Sequence, residues 1–204
     1  MSKLLSLIEY EQHNWKICAD LKVVAMVTGL QQGYTKYCCF LCKWDSRARH
    51  EHYARKDWPD RVNFTLGQDN VKHKALVKKE NIILPPLHIK LGLFKNFVKA
   101  LLKRGNSVAF EYLKTVFPNV SDAKIKEGVF VGPQITKLLK DSKFNSILFE
   151  DESMAWKSFC LVVSSFLGNF RSPNYKDIIQ DLLKNYEKIG TVFKHYFDFI
   201  YFSY

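Results

Sequence analysis

The sequence predicts a mainly α-helical protein with a small α/β portion at its N-terminus, and three observations carry that reading. From position 85 onward, apolar residues recur at steps of three and four, the period of one helix face, with turn signals such as FPNVSD, VGPQ and RSPN between the runs. Ahead of them, WKICADLKVVAMVTGLQQG reads as a short strand (16–19), a carboxylate (Asp20) and then a helix. In that helix Leu21, Val24, Ala25 and Thr28 share a face, and Gly29 and Gly33 stop it. Finally, a chain of 204 residues with 47% hydrophobic side chains can bury a core without staples, which excludes a disordered or fibrous class.

Two regions follow from the composition: 1–60, the α/β segment with a cysteine knuckle, and 61–204, a basic helical region. In the first, YCCFLCKW is short and apolar and reads as a second strand or a knuckle entering the polar turn DSRARHEH. In the second, Pro85-Pro86 opens a helix whose apolar side is Leu87, Leu91, Phe94, Val98 and Leu101, while His88, Gly92, Lys95, Lys99 and Lys103 share the other side. Shorter helices are expected over 106–117, 121–127 and 134–141, with Ser121 and Asp122 as caps. Two longer ones should span 153–170 and run on from near Tyr175, the latter interrupted at Gly190 and Thr191. The final string KHYFDFIYFSY carries seven aromatic or aliphatic residues in its last nine, so this aromatic helix either docks or belongs to a larger domain cut short at its C-terminus.

Charge and cysteines bound the function classes. Of the net charge of +11, the segment 72–104 supplies +8, with nine Lys/Arg against Glu80 alone. Such a band suits a polyanionic partner, DNA before membrane, although a solvated lysine-rich face is the simpler alternative. No membrane crossing is expected, because the most apolar run, FCLVVSSFLGNF, is far shorter than the roughly 20 residues a span needs. MSKLLSLIEYEQ meets Glu9 and Glu11 too early to be a signal peptide, and five cysteines, an odd number with three crowded together, suit a reducing nuclear or cytoplasmic compartment.

The chemistry-bearing motif is Cys39-x-x-Cys42, the spacing at which two thiolates reach one tetrahedral zinc. Two further ligands are required, and His52 and His88 are the first candidates; His50 sits among Arg47, Arg49 and Arg55 and suits solvent or a phosphate equally well. A redox pair would open a helix, whereas Trp44, Asp45, Ser46 and Arg47 read as a turn. A buried cluster of reduced thiols is the third reading. Asp20, at the C-terminal edge of an apolar strand, is either a site carboxylate or a helix cap. FEDES at 149–153 reads as acidic capping of a helix start. Glycine-rich phosphate loops, Gly-x-Ser-x-Gly and His-Glu-x-x-His are absent from the sequence.

Taken together, EYEQHNWKICADLKVVAMVTGLQQGYTKYCCFLCKWDSR, NIILPPLHIKLGLFKNFVKAL and SDAKIKEGVFVGPQI resemble a family of transposon-derived proteins of invertebrate genomes. The order Asp, CxxC and Leu-His-Ile is more distantly similar to DDE-type transposases, which have an RNase H-like core interrupted by a helical, zinc-binding insertion. The resemblance implies a partial RNase H-like core in which Asp20 is the second of three metal-binding carboxylates. It also implies that Cys39 and Cys42 are the cysteine half of a structural zinc site and that His88 lies in the Leu-His-Ile element. The first Asp and the Glu would lie outside these residues, so magnesium chemistry would require a longer protein that restores all three. The implied function is non-catalytic, non-specific DNA binding through Lys72, Lys74, Lys78, Lys79, Lys95, Lys99 and Lys103. The alternative is a helical protein-interaction module without a nucleic-acid role, self-associating through the aromatic C-terminal helix.

Overall fold

The computed structural model describes all residues except 1, 14, 34, 49, 52–54, 56–57, 84, 169–170 and 192–204. The described residues form two compact units, Met1–Pro85 and Pro86–Lys194. The boundary expected at 60/61 therefore moves to 85/86. Backbone pairing is the reason: Arg61 N donates to the Leu41 carbonyl, Leu76 N to Val27 and Lys72 N to Gly29, all at 2.7–2.8 Å, so residues 61–85 complete the first unit.

In the first unit, α1 (Ser2–Leu7) and α2 (Tyr10–His13) precede β1 (Ile17–Cys18) and α3 (Leu21–Val27). Asp20 caps α3, its carboxylate accepting from Val23 N at 2.9 Å, and so satisfies one of the donors a helix start leaves open. β1 pairs in parallel with β2 (Ile82–Ile83), with Ile17 opposite Ile82 and Cys18 opposite Ile83. Lys16 fastens the edge of this pair through the Glu80 carbonyl and the Asn81 side chain. Among the described residues the strand content ends with these two dipeptides, which is the whole of the α/β portion. Beneath it, Tyr10, Val27 and Val77 are buried against Leu5, Ile17, Val23, Leu76 and Ile82.

The second unit is helical throughout its described length: α4 (Pro86–Lys103), α5 (Ser107–Val116), α6 (Asp122–Lys126), α7 (Gly132–Leu139), α8 (Ser142–Ser146), α9 (Glu150–Ser165) and α10 (Tyr175–Lys188). Helix α4 packs against α5, α6, α7 and α9, so its buried surface is wider than a single stripe. Ile89, Leu93, Phe94, Phe97, Val98, Ala100 and Leu101 are all buried, whereas Leu87, expected on the apolar side, is 51% exposed. Around Phe94 and Phe97 the rings interlock, with Phe144 edge-on to Trp156 at 4.9 Å and Phe94 edge-on to Phe130 at 5.1 Å, the geometry aromatic quadrupoles favour. Helices α9 and α10 pack along each other, and the buried pair Asn185–Ser158, at 2.7 Å, fixes their register.

The acidic start of α9 performs more than capping. Glu152 is fully buried; one carboxylate oxygen accepts from Phe149 N at 3.0 Å and from Asn106 Nδ2 at 2.6 Å, and the other lies 3.5 Å from Arg104 Nε. One acid thereby ties the α4–α5 turn to the N-terminus of α9. No described helix is long and apolar enough to cross a membrane.

Two glycines in left-handed backbone give a direct test of the packing. At Gly29 (φ +74) an added Cβ would stand 2.0 Å from the His73 carbonyl oxygen, whereas at Gly105 (φ +78) it would meet nothing within 4 Å. Gly105→Ala should cost about 1–2 kcal/mol of backbone strain, and Gly29→Ala about 4 kcal/mol or more, both read from urea denaturation midpoints.

Candidate metal-binding knuckle and basic surface

Residues 35–46 form a closed knuckle. Its two limbs are joined by Ser46 N to the Lys36 carbonyl (2.8 Å), Ser46 Oγ to the Thr35 carbonyl (2.7 Å) and an ion pair of Lys36 with Asp45 at 3.4 Å. The outgoing limb pairs with residues 59–61: Cys42 bridges Asp60 antiparallel, and Lys43 N donates to the Pro59 carbonyl at 2.7 Å. A loop with two consecutive left-handed residues, Asp69 and Asn70, braces the knuckle from another side. There the Asn70 side-chain oxygen accepts from Tyr37 N at 2.7 Å, and Asp69 pairs with Lys43 at 2.9 Å.

At the centre, Cys39 and Cys42 are 0% and 1% exposed. The Cys39 sulfur accepts two backbone N–H groups, from Leu41 at 3.2 Å and Cys42 at 3.3 Å. Donors aimed at a sulfur stabilise negative charge on it, the state a metal requires. In the protonated form, burial pushes the Cys39 thiol well above its ordinary range, with a hydrogen bond to Cys42 acting in the same direction. Cys38, half-buried, is pushed up to about 11 by burial.

Sequence reasoning missed Arg61, which is fully buried beneath the knuckle. Its Nε donates to the Cys39 carbonyl at 2.8 Å and its Nη2 to the Tyr37 carbonyl at 3.1 Å, while Nη1 is buried with no hydrogen-bond partner. Nothing in PDRVNF marks an arginine as interior, because arginine is almost never fully buried unless paired.

Of the other proposed ligands, His88 is exposed on the first turn of α4, in the second unit, and His52 lies outside the described residues. His50 points into solvent, its side chain 83% exposed and 3.5 Å from Glu51. Among the described residues, no group of three or more His, Cys, Asp or Glu side chains is gathered to hold a metal. Asp20 carries its cap hydrogen bond.

The lysines divide by environment. Lys72, Lys74 and Lys78 are exposed in the first unit, and Lys72 lines an open cavity of about 410 Å³ with His73, Met26, Leu30, Gln31 and Gln32. Lys79 is half-buried, its ammonium donating to the Arg61 carbonyl at 2.9 Å. Lys95, Lys99 and Lys103 are exposed on one side of α4, but Lys99 is paired with Glu127 at 2.6 Å, which holds the Glu127 carboxyl below its usual range.

Burial also pushes the Cys160 thiol up to about 11. Below that value the reactive thiolate grows tenfold per pH unit, so alkylation at Cys160 should accelerate about a hundredfold between pH 8 and pH 10. Exposed Cys18 should be the first site labelled at pH 8. Peptide mapping of a labelling time course reads both.

The chain is similar to two families: residues 1–77 match the family model described as Domain of unknown function (DUF8703), and residues 86–168 match that described as Domain of unknown function (DUF8704). The second match begins at the 85/86 boundary of the structural units. No curated protein and no solved structure matches the chain.

Proposed function

We propose that this chain is a zinc-stapled module of transposase descent that grips the DNA backbone without cutting it. The observation that carries the reading is the conjunction, within one unit, of a buried two-thiol knuckle and three exposed lysines, Lys72, Lys74 and Lys78. The residues present fit half of a zinc site in donor type: two buried cysteines, one already accepting two N–H bonds. Cys39 and Cys42 would hold the metal, with His52, which lies outside the described residues, the proposed further ligand. Zinc would act there as a structural cross-link.

The lysines would contact phosphates, fixing position without reading sequence. Lys95 and Lys103 on α4 form a second contact surface, which Lys99 joins only on leaving Glu127. Lys79 is reassigned from phosphate contact to holding the Arg61 carbonyl. The RNase H-like ancestry and a nuclear location belong to the same proposal, supported by the order strand, Asp20, helix. On that view Asp20 is a relic carboxylate now serving as a cap, and magnesium chemistry needs a longer protein carrying the other two carboxylates.

A second reading, a helical interaction module, is favoured by exposed apolar side chains in the second unit: Leu87, Val129 and Val131, and Met154 with Leu161 on α9. The aromatic helix expected to mediate self-association lies outside the described residues. Concentration-dependent dimerisation without DNA binding would favour this reading over the first.

Two measurements test the main reading. Elemental analysis should find one zinc per chain, lost in Cys39→Ser and in Cys42→Ser; zinc-free wild type refutes the staple. Binding to a short duplex, followed by anisotropy across salt concentrations, should fall steeply, and the triple variant Lys72→Gln, Lys74→Gln, Lys78→Gln should flatten the log–log slope by about 2–3. Lys79→Gln should leave the slope unchanged and cost about 1 kcal/mol of stability. Equal slopes for the triple variant and wild type would remove the lysines from the interface.

A further inference from the structure

At the C-terminal end of α3, residues 29–31 are bonded to residues 70–73: Gln31 N donates to the Asn70 carbonyl at 2.8 Å, Leu30 bridges Val71 antiparallel, and the Lys72 and His73 amides both reach the Gly29 carbonyl, at 2.8 and 3.1 Å. The left-handed Gly29 permits this approach, since a Cβ there would collide with the His73 carbonyl. The open cavity of about 410 Å³ is set into this junction, with Met26, Leu30, Gln31 and Gln32 supplied by one segment and Lys72 and His73 by the other. Backbone bonds hold both lips in place before any ligand arrives. Met26, 43% exposed, and Leu30, buried, give the lining its apolar part. Gln31 and Gln32 add two side-chain amides, each a donor and an acceptor, while Lys72 adds an ammonium and His73 an imidazole. These four polar side chains bond to no other described residue, and no carboxylate lines the cavity. The carbonyls of a helix end would repel an anion, but here Ala25 accepts from Leu30 N, Met26 from Gly29 N and Val27 from Leu76 N.

We propose that this cavity binds one nucleoside monophosphate unit, with Lys72 and His73 on the phosphate, the Gln31 and Gln32 amides on the edge of the base, and Met26 and Leu30 against its face. Size supports a single unit: ligand sites run from about 300 to 1,000 Å³, and 410 Å³ lies near the lower end. A glutamine amide matches the adjacent donor and acceptor on an adenine edge, and a thioether adapts to a flat ring. The positive lining supplies the anionic half of the match. Within a DNA strand such a base is within reach only where it is unpaired, because a duplex keeps it stacked. The site goes beyond a grip on the backbone: Lys72 serves both, but the cavity needs neither zinc nor a duplex.

The test titrates the full, isotope-labelled chain with deoxyadenosine monophosphate to about 5 mM, enough to fill a site of millimolar affinity, and follows its amide NMR spectrum. The amides of 29–32 and 71–73 should shift together and saturate. Met26→Glu, a change at an exposed side chain, should abolish the shifts by setting a carboxylate in the cavity, and Lys72→Gln should weaken binding about 10-fold. Amides far from the cavity should keep their positions in both variants, which shows the fold intact. Inorganic phosphate at the same concentration should leave residues 30–32 unmoved. Competition then separates two sources of the same chemistry. Displacement by a short single strand of deoxyadenosines, and not by a blunt duplex, makes the occupant an unpaired nucleotide of DNA. Displacement by neither makes it a free nucleotide, and both results uphold the site. No shift, shifts that inorganic phosphate reproduces, shifts that survive Met26→Glu, or equal displacement by strand and duplex would overturn it.

Discussion

The fork of Arg61 is the interaction on which the first unit depends. Residues 35–46 contain no regular element; Ser46 satisfies the Thr35 and Lys36 carbonyls from within, but the Tyr37, Cys39 and Leu41 carbonyls take their donors from outside the segment. Arg61 supplies donors for the Cys39 and Tyr37 carbonyls, and its own backbone N–H reaches the Leu41 carbonyl. A lysine has only a point charge on a flexible stem, whereas the planar fork reaches two carbonyls at once and fixes the turn between the cysteines. The buried sulfurs and the two N–H groups that reach Cys39 follow from that fixed turn. Around it, Trp44 and Trp58 are buried, and the Arg55 guanidinium lies 4.4 Å over the Trp58 ring, so aromatic surface closes what the polar bonds shape.

In the second unit, the corresponding constraint is apolar. Helix α4 is covered by four other helices, and its three-and-four periodicity is read against several neighbours at once. A wheel drawn from sequence assigns one face, which captures Phe94, Val98 and Leu101. It misses Ile89, Leu93, Phe97 and Ala100, because a central helix has no single inward direction. The close approach of α6 adds a local demand: Gly128 (φ +64) brings its backbone against Lys95, where a Cβ would stand 2.7 Å from the carbonyl oxygen.

What was legible in the sequence was periodicity and punctuation. The strand–Asp20–helix order, the helices at 107–116, 122–126 and 132–139, and the stop at Gly190 could be read from local chemistry: a capping carboxylate, a proline at a helix start, a glycine in left-handed backbone. The cysteine knuckle was legible as a motif, but its support was not. Arg61, Asn70 and Asp69 act through partners 18 to 33 residues distant, such as Tyr37 N for Asn70, and a single sequence carries no mark of such pairing. The boundary was misplaced for the same reason. Residues 61–85 are polar and basic like the helices after them, but their backbone groups pair backward, with Gly29, Val27 and Leu41. Composition followed charge, whereas the fold followed hydrogen bonds.

Among the described residues, each unit fully buries one acidic or basic side chain at a junction, Glu152 or Arg61, and the two are held differently. Glu152 has charged company: one oxygen accepts from Asn106 and the Phe149 amide, and the other, without a hydrogen bond of its own, lies 3.5 Å from Arg104 Nε, while Arg104 also reaches Asp151 and the Lys188 carbonyl. Removing Glu152 would leave donors unsatisfied, which is reason enough for its place in the fold. Arg61 is held chiefly by geometry: its carbonyl partners orient it and the Phe64 ring lies 5.7 Å from the guanidinium carbon, but no carboxylate is bonded to it. Desolvating a cation for two neutral hydrogen bonds is a poor exchange where an uncharged donor could make at least one of them. What distinguishes arginine here is that one planar group reaches both carbonyls at a fixed spacing, so its position is set by the turn it holds and not by an acid.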